Sequence, residues 1–356
     1  MINIDPEFSE WLSGIRRDFH MHPELSNQEY RTTEKICSIL SEFGIQYQTL
    51  PGSTGAVALI KGRIPGPTIG LRADIDALPI KELNSVPYRS CVDNMMHACG
   101  HDANTAIMLG VARTIVEKKL FEDLKGNIKF LFQPAEEKIN GAEKMIDQGV
   151  LENPEVDRVI AGHMAPDLKV GSVGVFKRYG YAAADRFKLT ISGKGGHAGR
   201  PHETIDPIVC GAHFITTIQT IVSWNVNPIE SAVISVGKFQ AGDVGNVIPE
   251  TAFLEGTVRT HSDHIRDMIF VRLNMIIEGM EKQFNVKCKF ENIFETPSCN
   301  CDRQVSEFMF RNASKVLGNK NVRWITLNNQ LDRFIRLVGI KYRVPGILQR
   351  YWYQVL

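Results

Sequence analysis

Three stretches of this sequence carry side chains of the types and spacing that metal-assisted hydrolysis uses. His97-Ala98-Cys99-Gly100-His101-Asp102 sets a thiol and an imidazole two residues apart. Gln133-Pro134-Ala135-Glu136-Glu137 sets two carboxylates side by side, and Gly162-His163 adds another imidazole. Thiolate, imidazole and carboxylate are the usual donors to zinc and similar ions. Adjacent glutamates allow a division of work, in which one binds metal and its neighbour handles a proton. Hydrolysis needs that second group because a metal lowers the pKa of a water without itself accepting the proton. Each stretch alone has a plainer reading: a cysteine packed in an apolar loop, a pair of solvated carboxylates, a hydrogen-bonded histidine near the surface.

What joins them is the set of elements that must carry them. Helical signals over residues 8–20 and 27–43 precede an alternation of short apolar strands (56–60, 68–71, 128–132, 156–161) with helices (103–118, 141–148). Short apolar strands separated by helices predict an α/β domain, with a mainly parallel sheet and helices on both faces. In such sheets ligands bind beyond the carboxyl ends of the strands. Asp74 and Asp76 follow the second strand, Glu136 and Glu137 the third, and His163 the fourth. The loop before the 103–118 helix carries Cys99 and His101. All of these groups are therefore expected along one edge of one sheet.

The rhythm changes after about residue 183. Strand 187–192, helix 204–224, strands 232–239 and 252–259, helix 264–284 and strand 286–290 give the order βαββαβ, a ferredoxin-like α+β unit inserted into the first domain. The expected organisation is a catalytic domain over 1–183, an inserted lid or dimerisation domain over 184–294, and the rest of the catalytic domain over 295–356.

Composition narrows the partners. The balance of 41 Lys and Arg against 40 Asp and Glu leaves a net charge of +1, which points neither to nucleic acid nor to an anionic membrane surface. No apolar run approaches the ~20 residues of a spanning helix. The first residues, Met1-Ile2-Asn3-Ile4-Asp5-Pro6-Glu7, have neither the basic segment nor the apolar run of a secretory signal. Seven irregularly spaced cysteines fit a reduced, cytoplasmic setting better than a disulfide framework.

These motifs together closely resemble the metallo-amidohydrolases that include hippurate hydrolase, N-acyl-amino-acid amidohydrolases and auxin-conjugate hydrolases, whose catalytic domain has the zinc-exopeptidase-like fold. Further matching segments are 17–26, 71–79, 141–145, 193–202, 245–249 and 256–260, so the likeness covers about residues 10 to 300. The resemblance implies a divalent metal (Zn, Mn, Co or Ni) held by Cys99, His101, Glu137 and His163, with Glu136 as general base. It also implies that His197, Asn246 and Arg259 face the substrate from the inserted domain. There Arg259 is suited to a carboxylate and His197 to an oxyanion. Asp76 is read as orienting a ligand, and His20 and His22 as scaffold. The implied substrate is an N-acyl amino acid and the implied assembly a homodimer through the inserted domain. The rival readings are a catalytically inactive relative that binds an N-acyl amino acid or metal, and a dipeptidase or carboxypeptidase.

One part of the pattern breaks. Members of the family carry two metals per subunit and a further metal-binding histidine near the C-terminus, whereas the last of the ten histidines here is His264. From Val322 to Leu356 there are six Arg and Lys and a single acidic residue. The tail after about residue 323 thus reads as atypical, as a shifted reading frame would make it; one metal or fewer is expected to be held tightly, and hydrolysis is expected to be impaired by the missing ligand.

Overall fold

A computed structural model of the protein describes residues 5–165, 168–325 and 336–341. Helix α1 (Pro6–Met21) starts where Asp5 accepts the Glu7 amide and Pro6 fills the first turn, a position that needs no amide donor. In α2 (Tyr30–Glu42) the apolar positions Ile36, Ile39 and Leu40 fall on one buried stripe, and Gly44 follows in the left-handed region at φ 68°. Helix α3 (His101–Glu117) begins directly after Gly100, also left-handed at φ 86°. It starts two residues before the predicted helix, which brings His101 onto the first turn.

The chain divides into two compact units, residues 1–180 with 300–356, and residues 181–299. The first unit is built on an eight-stranded sheet in the order β1 (Gln46–Thr49), β2 (Ala56–Lys61), β4 (Lys125–Gln133), β3 (Ile64–Asp74), β5 (Arg158–His163), β16 (Arg336–Lys341), β6 (Val173–Phe176), β15 (Val322–Ile325). Strand β3 pairs in parallel with both β4 and β5, and β6 does so with both β16 and β15. The pairs β1–β2, β2–β4 and β5–β16 are antiparallel, so the sheet is mixed.

Side chains alternate across the sheet, and the alternation assigns each face its helices. On β4, Phe130 and Phe132 pack with Phe19, Leu40 and Leu109 of α1, α2 and α3. Leu131 between them points the other way, into a cluster with Met145 and Ile146 of α4 (Gly141–Asp147). Burying each such Phe or Leu contributes about 1.5–3 kcal/mol. A further cluster joins Val175 of β6 to Val305 and Met309 of α7 (Arg303–Leu317), with Phe310 stacked on Trp324 at 4.3 Å.

The second unit holds a four-stranded antiparallel sheet in the order β10 (Ala232–Ala241), β12 (Thr251–Thr260), β8 (Ala183–Ser192), β13 (Lys287–Thr296). Helices α5 (Pro207–Thr220) and α6 (Asp263–Phe284) share its apolar core through Phe214, Ile218, Ile269 and Leu273. Two small ribbons complete the strands: β9 (Gly196–His197) with β11 (Val247–Ile248), and β7 (Tyr179–Tyr181) with β14 (Cys299–Asn300).

One charge pair pins α6 to its sheet. The fully buried Asp185 of β8 accepts from Arg266 Nε at 2.7 Å and from Nη2 at 2.8 Å. Replacing Asp185 by alanine removes both of these charge-assisted hydrogen bonds, and the expected loss is about 3 kcal/mol, the lower end for a broken buried pair. The lower end applies because the Arg266 side chain is 16% exposed. A thermal melt that matched the wild type would remove this pair from the list of supports.

No helix among the described residues is long and apolar enough to cross a membrane. Of the tail expected to be atypical, the backbone of β15 and β16 belongs to the sheet; residues 326–335 and 342–356 lie outside the described residues.

Candidate metal centre

Strands β4, β3 and β5 lie side by side and run in parallel, so their carboxyl ends share one edge. Strand β3 ends at Asp74 with Asp76 just beyond it, β4 runs into the loop bearing Glu136 and Glu137, and β5 ends at His163. The start of α3 adds Cys99 and His101. The topology therefore gathers residues scattered over 90 positions of sequence, as the crevice rule for parallel strands requires.

His101 is the hub. It is fully buried, and its Nδ1 donates to the Asp76 carbonyl at 2.9 Å, with Asp76 Oδ1 3.3 Å away. That fixes the ring and leaves Nε2 facing three carboxylates: Asp74 Oδ2 at 3.5 Å, Glu136 Oε2 at 3.7 Å and Glu137 Oε1 at 4.0 Å. Cys99 Sγ lies 3.4 Å from His163 Nε2, while His163 Nδ1 donates to the Met164 carbonyl at 2.7 Å. Ligand atoms of Cys99, His101 and His163 lie within 4.8 Å of one another, and so do those of Asp76, His101 and Glu136. Asp76 also accepts from Ser26 Oγ at 2.6 Å and from the Glu137 amide at 3.0 Å, so it ties the glutamate loop to His101. Asp74 is itself held by Arg72 Nη1 at 3.0 Å and by Asn104 Nδ2 at 2.7 Å.

The electrostatics follow from burial. Burial raises Glu136 to about 8, against the opposing pull of His101. It also pushes up the Glu137 carboxyl and the Cys99 thiol. Burial alone would depress His101, but the Asp74 carboxylate and the Asp76 hydrogen bond hold it well above its ordinary value. His163 is pushed down by burial and kept neutral, the form that binds metal.

A cation fits this cluster. His101 Nε2, Glu137 Oε1 and Asp76 Oδ1 are buried without a hydrogen-bond partner, each at a cost of about 1–3 kcal/mol. All three lie in the one cluster, where a positive ion would answer the carboxylate oxygens and, once its proton is released, His101 Nε2. Because Glu136, His101 and Cys99 all favour their protonated forms here, loading a divalent ion is expected to release up to about three protons, and affinity is expected to rise as pH increases through neutrality. Calorimetric titrations in buffers of different ionisation enthalpy measure that release directly; heats that do not depend on the buffer would contradict it.

The residues assigned to the inserted domain occupy two places in the second unit. His197 of β9 pairs with Val247 of β11, the Ala198 amide donates to the Asn246 carbonyl at 3.0 Å, and His197 Nδ1 accepts from the Gly199 amide at 2.9 Å. His197 and Asn246 are thus neighbours on one exposed ribbon. Arg259 lies apart from them in sequence, exposed on β12, with Nη1 donating to Thr257 Oγ1 at 2.5 Å. His20 bridges Asp102 at 2.8 Å and Glu82 at 3.2 Å, and His22 Nδ1 bonds the Asp18 carbonyl at 2.9 Å, so both make scaffold bonds. Residues that the sequence reading passed over include Ser26, Glu29, Arg72 and Asn104, which hold the cluster from behind.

Comparison with known proteins finds a family and several relatives. Residues 70–329 match the model of peptidase family M20/M25/M40. The chain is 46% identical over 290 residues, 81% of its length and 69% of the relative's, to an N-acetyl-L-cysteine deacetylase of Bacillus subtilis. It is 41% identical over 276 residues, 77% of its length and 74% of the relative's, to an N-acyl-L-amino acid amidohydrolase of Geobacillus stearothermophilus. Among solved structures it resembles a dinuclear metal-binding peptidase of the M20 family from Bacillus subtilis, with a TM-score of 0.78 at 37% identity over 90% of this chain and 82% of that one. The family match spans the parallel strand ends, the α3 start and the inserted unit together, and the chain belongs to peptidase family M20/M25/M40.

Proposed function

We propose that this protein is a metal-dependent amidohydrolase that cleaves the amide bond of an N-acyl amino acid into a carboxylic acid and a free amino acid. The observation that carries the reading is the buried Glu136 carboxylate beside His101 Nε2, at the centre of a cluster of unsatisfied donor atoms. Relatives with 41% to 46% identity that are named for deacetylation and amide hydrolysis support the same chemistry.

The cofactor is a divalent metal ion. Cys99, His101, Glu137 and His163 are proposed to hold it. When bound, it polarises the amide carbonyl and lowers the pKa of water at the site. Glu136 takes the proton from the attacking water as its oxygen bonds to the carbonyl carbon, then returns that proton to the amide nitrogen as the C–N bond breaks. Asp76 keeps the His101 ring oriented through Nδ1, so that the other nitrogen stays directed at the carboxylates. Arg259 is proposed to pair with the substrate carboxylate, and His197 and Asn246 to hydrogen-bond the substrate, as the family resemblance implies. Four protein donors are few for the two ions that relatives carry, so one tightly held ion or fewer per chain, zinc, manganese, cobalt or nickel, is the proposed stoichiometry.

The chain is further proposed to form a homodimer through its inserted domain. In support, β10 is an edge strand that exposes Val233 and Phe239. Seven free cysteines support a reducing, cytoplasmic setting.

Elemental analysis of the purified protein, combined with a panel of N-acyl amino acids and dipeptides, tests the proposal. At most one tightly held ion per chain and turnover of N-acyl amino acids in preference to dipeptides are expected. Tight metal binding with no turnover would favour an inactive binding relative, and preference for dipeptides would favour a peptidase.

A further inference from the structure

Glu29 immediately precedes α2 and is completely buried, yet its side chain makes no capping hydrogen bond to that helix. Its Oε1 accepts from the amide of Ala135 at 2.7 Å, and its Oε2 accepts from the Thr54 hydroxyl. The backbone around it is tied down as well. Thr33 Oγ1 donates to the Glu29 carbonyl at 2.6 Å and accepts from the Gly55 amide at 2.8 Å.

Ala135 is the residue before Glu136, and it sits at φ 48°. A residue with a Cβ disfavours that left-handed conformation, so something else has to hold it there. The loop is closed tightly behind it: the amides of Asn140 and Gly141 both turn back to the Ala135 carbonyl, at 3.4 and 3.3 Å. A Cβ on Gly141 would lie 1.6 Å from the Pro134 carbonyl oxygen, so only glycine permits this closure. On the other side of Glu136, the Glu137 amide donates to Asp76 Oδ2, which Ser26 also grips. The short segment from Ser26 to Glu29 thus anchors the base-bearing loop on both flanks.

We propose that Glu29 is a positioning residue for the general base: by accepting the Ala135 amide it holds the left-handed turn that directs Glu136 at His101. The proposal rests on Glu136 being the base, and its test keeps the two apart.

Two variants of the full-length protein separate positioning from simple support. Glu29→Met keeps the length of the side chain and removes the acceptor. Glu29→Gln keeps an acceptor for Ala135 and turns its amide toward the Thr54 oxygen. In the methionine variant, kcat per folded, metal-loaded molecule is expected to fall about 10- to 100-fold, the scale of a misplaced catalytic group. KM should move by less than about twofold, since ground-state binding is untouched. The glutamine variant should recover most of the lost rate, and metal content should hold in both, because Asp76 still grips the Glu137 amide.

Exchange of the Ala135 amide, followed by deuterium uptake of the loop peptide, should accelerate about tenfold or more in the methionine variant and stay slow in the glutamine variant. If the methionine variant fails to fold, Thr54→Val loosens the same carboxylate and should show a smaller change of the same kind. A methionine variant that melts earlier but turns over normally overturns the proposal. A glutamine variant as slow as the methionine one, or unchanged exchange at Ala135, does so too. Should the wild type cleave no N-acyl amino acid, the amidohydrolase reading fails on its own. The exchange experiment then decides whether Glu29 holds the loop.

Discussion

Replacing Glu136 by glutamine is expected to lower turnover of an N-acyl amino acid by about 10²–10⁴-fold, the contribution of a positioned general base. Glutamine keeps the shape of the side chain and can still hydrogen-bond, but at neutral pH it accepts no proton. The bound metal should barely change, since the proposed ligands are Cys99, His101, Glu137 and His163. Burial holds the Glu136 carboxyl near 8 with no ion beside it. A cation close by favours the charged form, so the loaded protein has its base available at neutral pH. The measurement pairs kcat with elemental analysis on the same sample. Near-normal turnover at full metal content would move the role of base to another residue, with Asp74 the nearest carboxylate to His101 Nε2.

Removing a ligand should do more. Cys99→Ala and His163→Ala each delete one side of the 3.4 Å pair in the cluster. Loss of an outer hydrogen-bonding partner typically costs 10–100-fold in metal affinity, so losing a direct donor is expected to cost at least ~100-fold, with activity falling in parallel. The His163 ring is oriented by its bond to the Met164 carbonyl, which leaves Nε2 facing Cys99 Sγ. Competition against a chelator of known affinity gives the number. If both variants retain full metal, these residues are structural and the centre lies elsewhere.

The chemistry-bearing residues were legible because their signal is local. Cys99 and His101 lie two positions apart, Glu136 and Glu137 are adjacent, and each group follows an apolar run that reads as a strand or precedes one that reads as a helix. What holds them was not legible. Glu29 lies in a stretch with no ligand spacing, and its partner Ala135 is 106 residues away, a distance at which sequence pattern carries no geometry. Asp185 and Arg266, 81 residues apart, escaped notice for the same reason. Strand direction was also hidden. The apolar run of β2 looks like its neighbours, yet it pairs antiparallel with both β1 and β4. Strand β3 is longer than predicted because its first residues, which include Pro65, Gly66 and Pro67, are exposed and speak against a strand.

The donor atoms reach their meeting point from the ends of β3, β4 and β5 and the start of α3, and Cys99 and His163 alone are 64 residues apart. No unfolded chain presents such a set without closing several long loops at once. The cage therefore exists only when the first unit has assembled, and an ion that enters it discriminates between native and unfolded chains. At a free concentration ~100 times its Kd, such an ion adds about 2.7 kcal/mol to the folded state. A chelator would then act on this protein as a mild denaturant, and a cell short of metal would shorten the lifetime of the chain as well as slow the reaction.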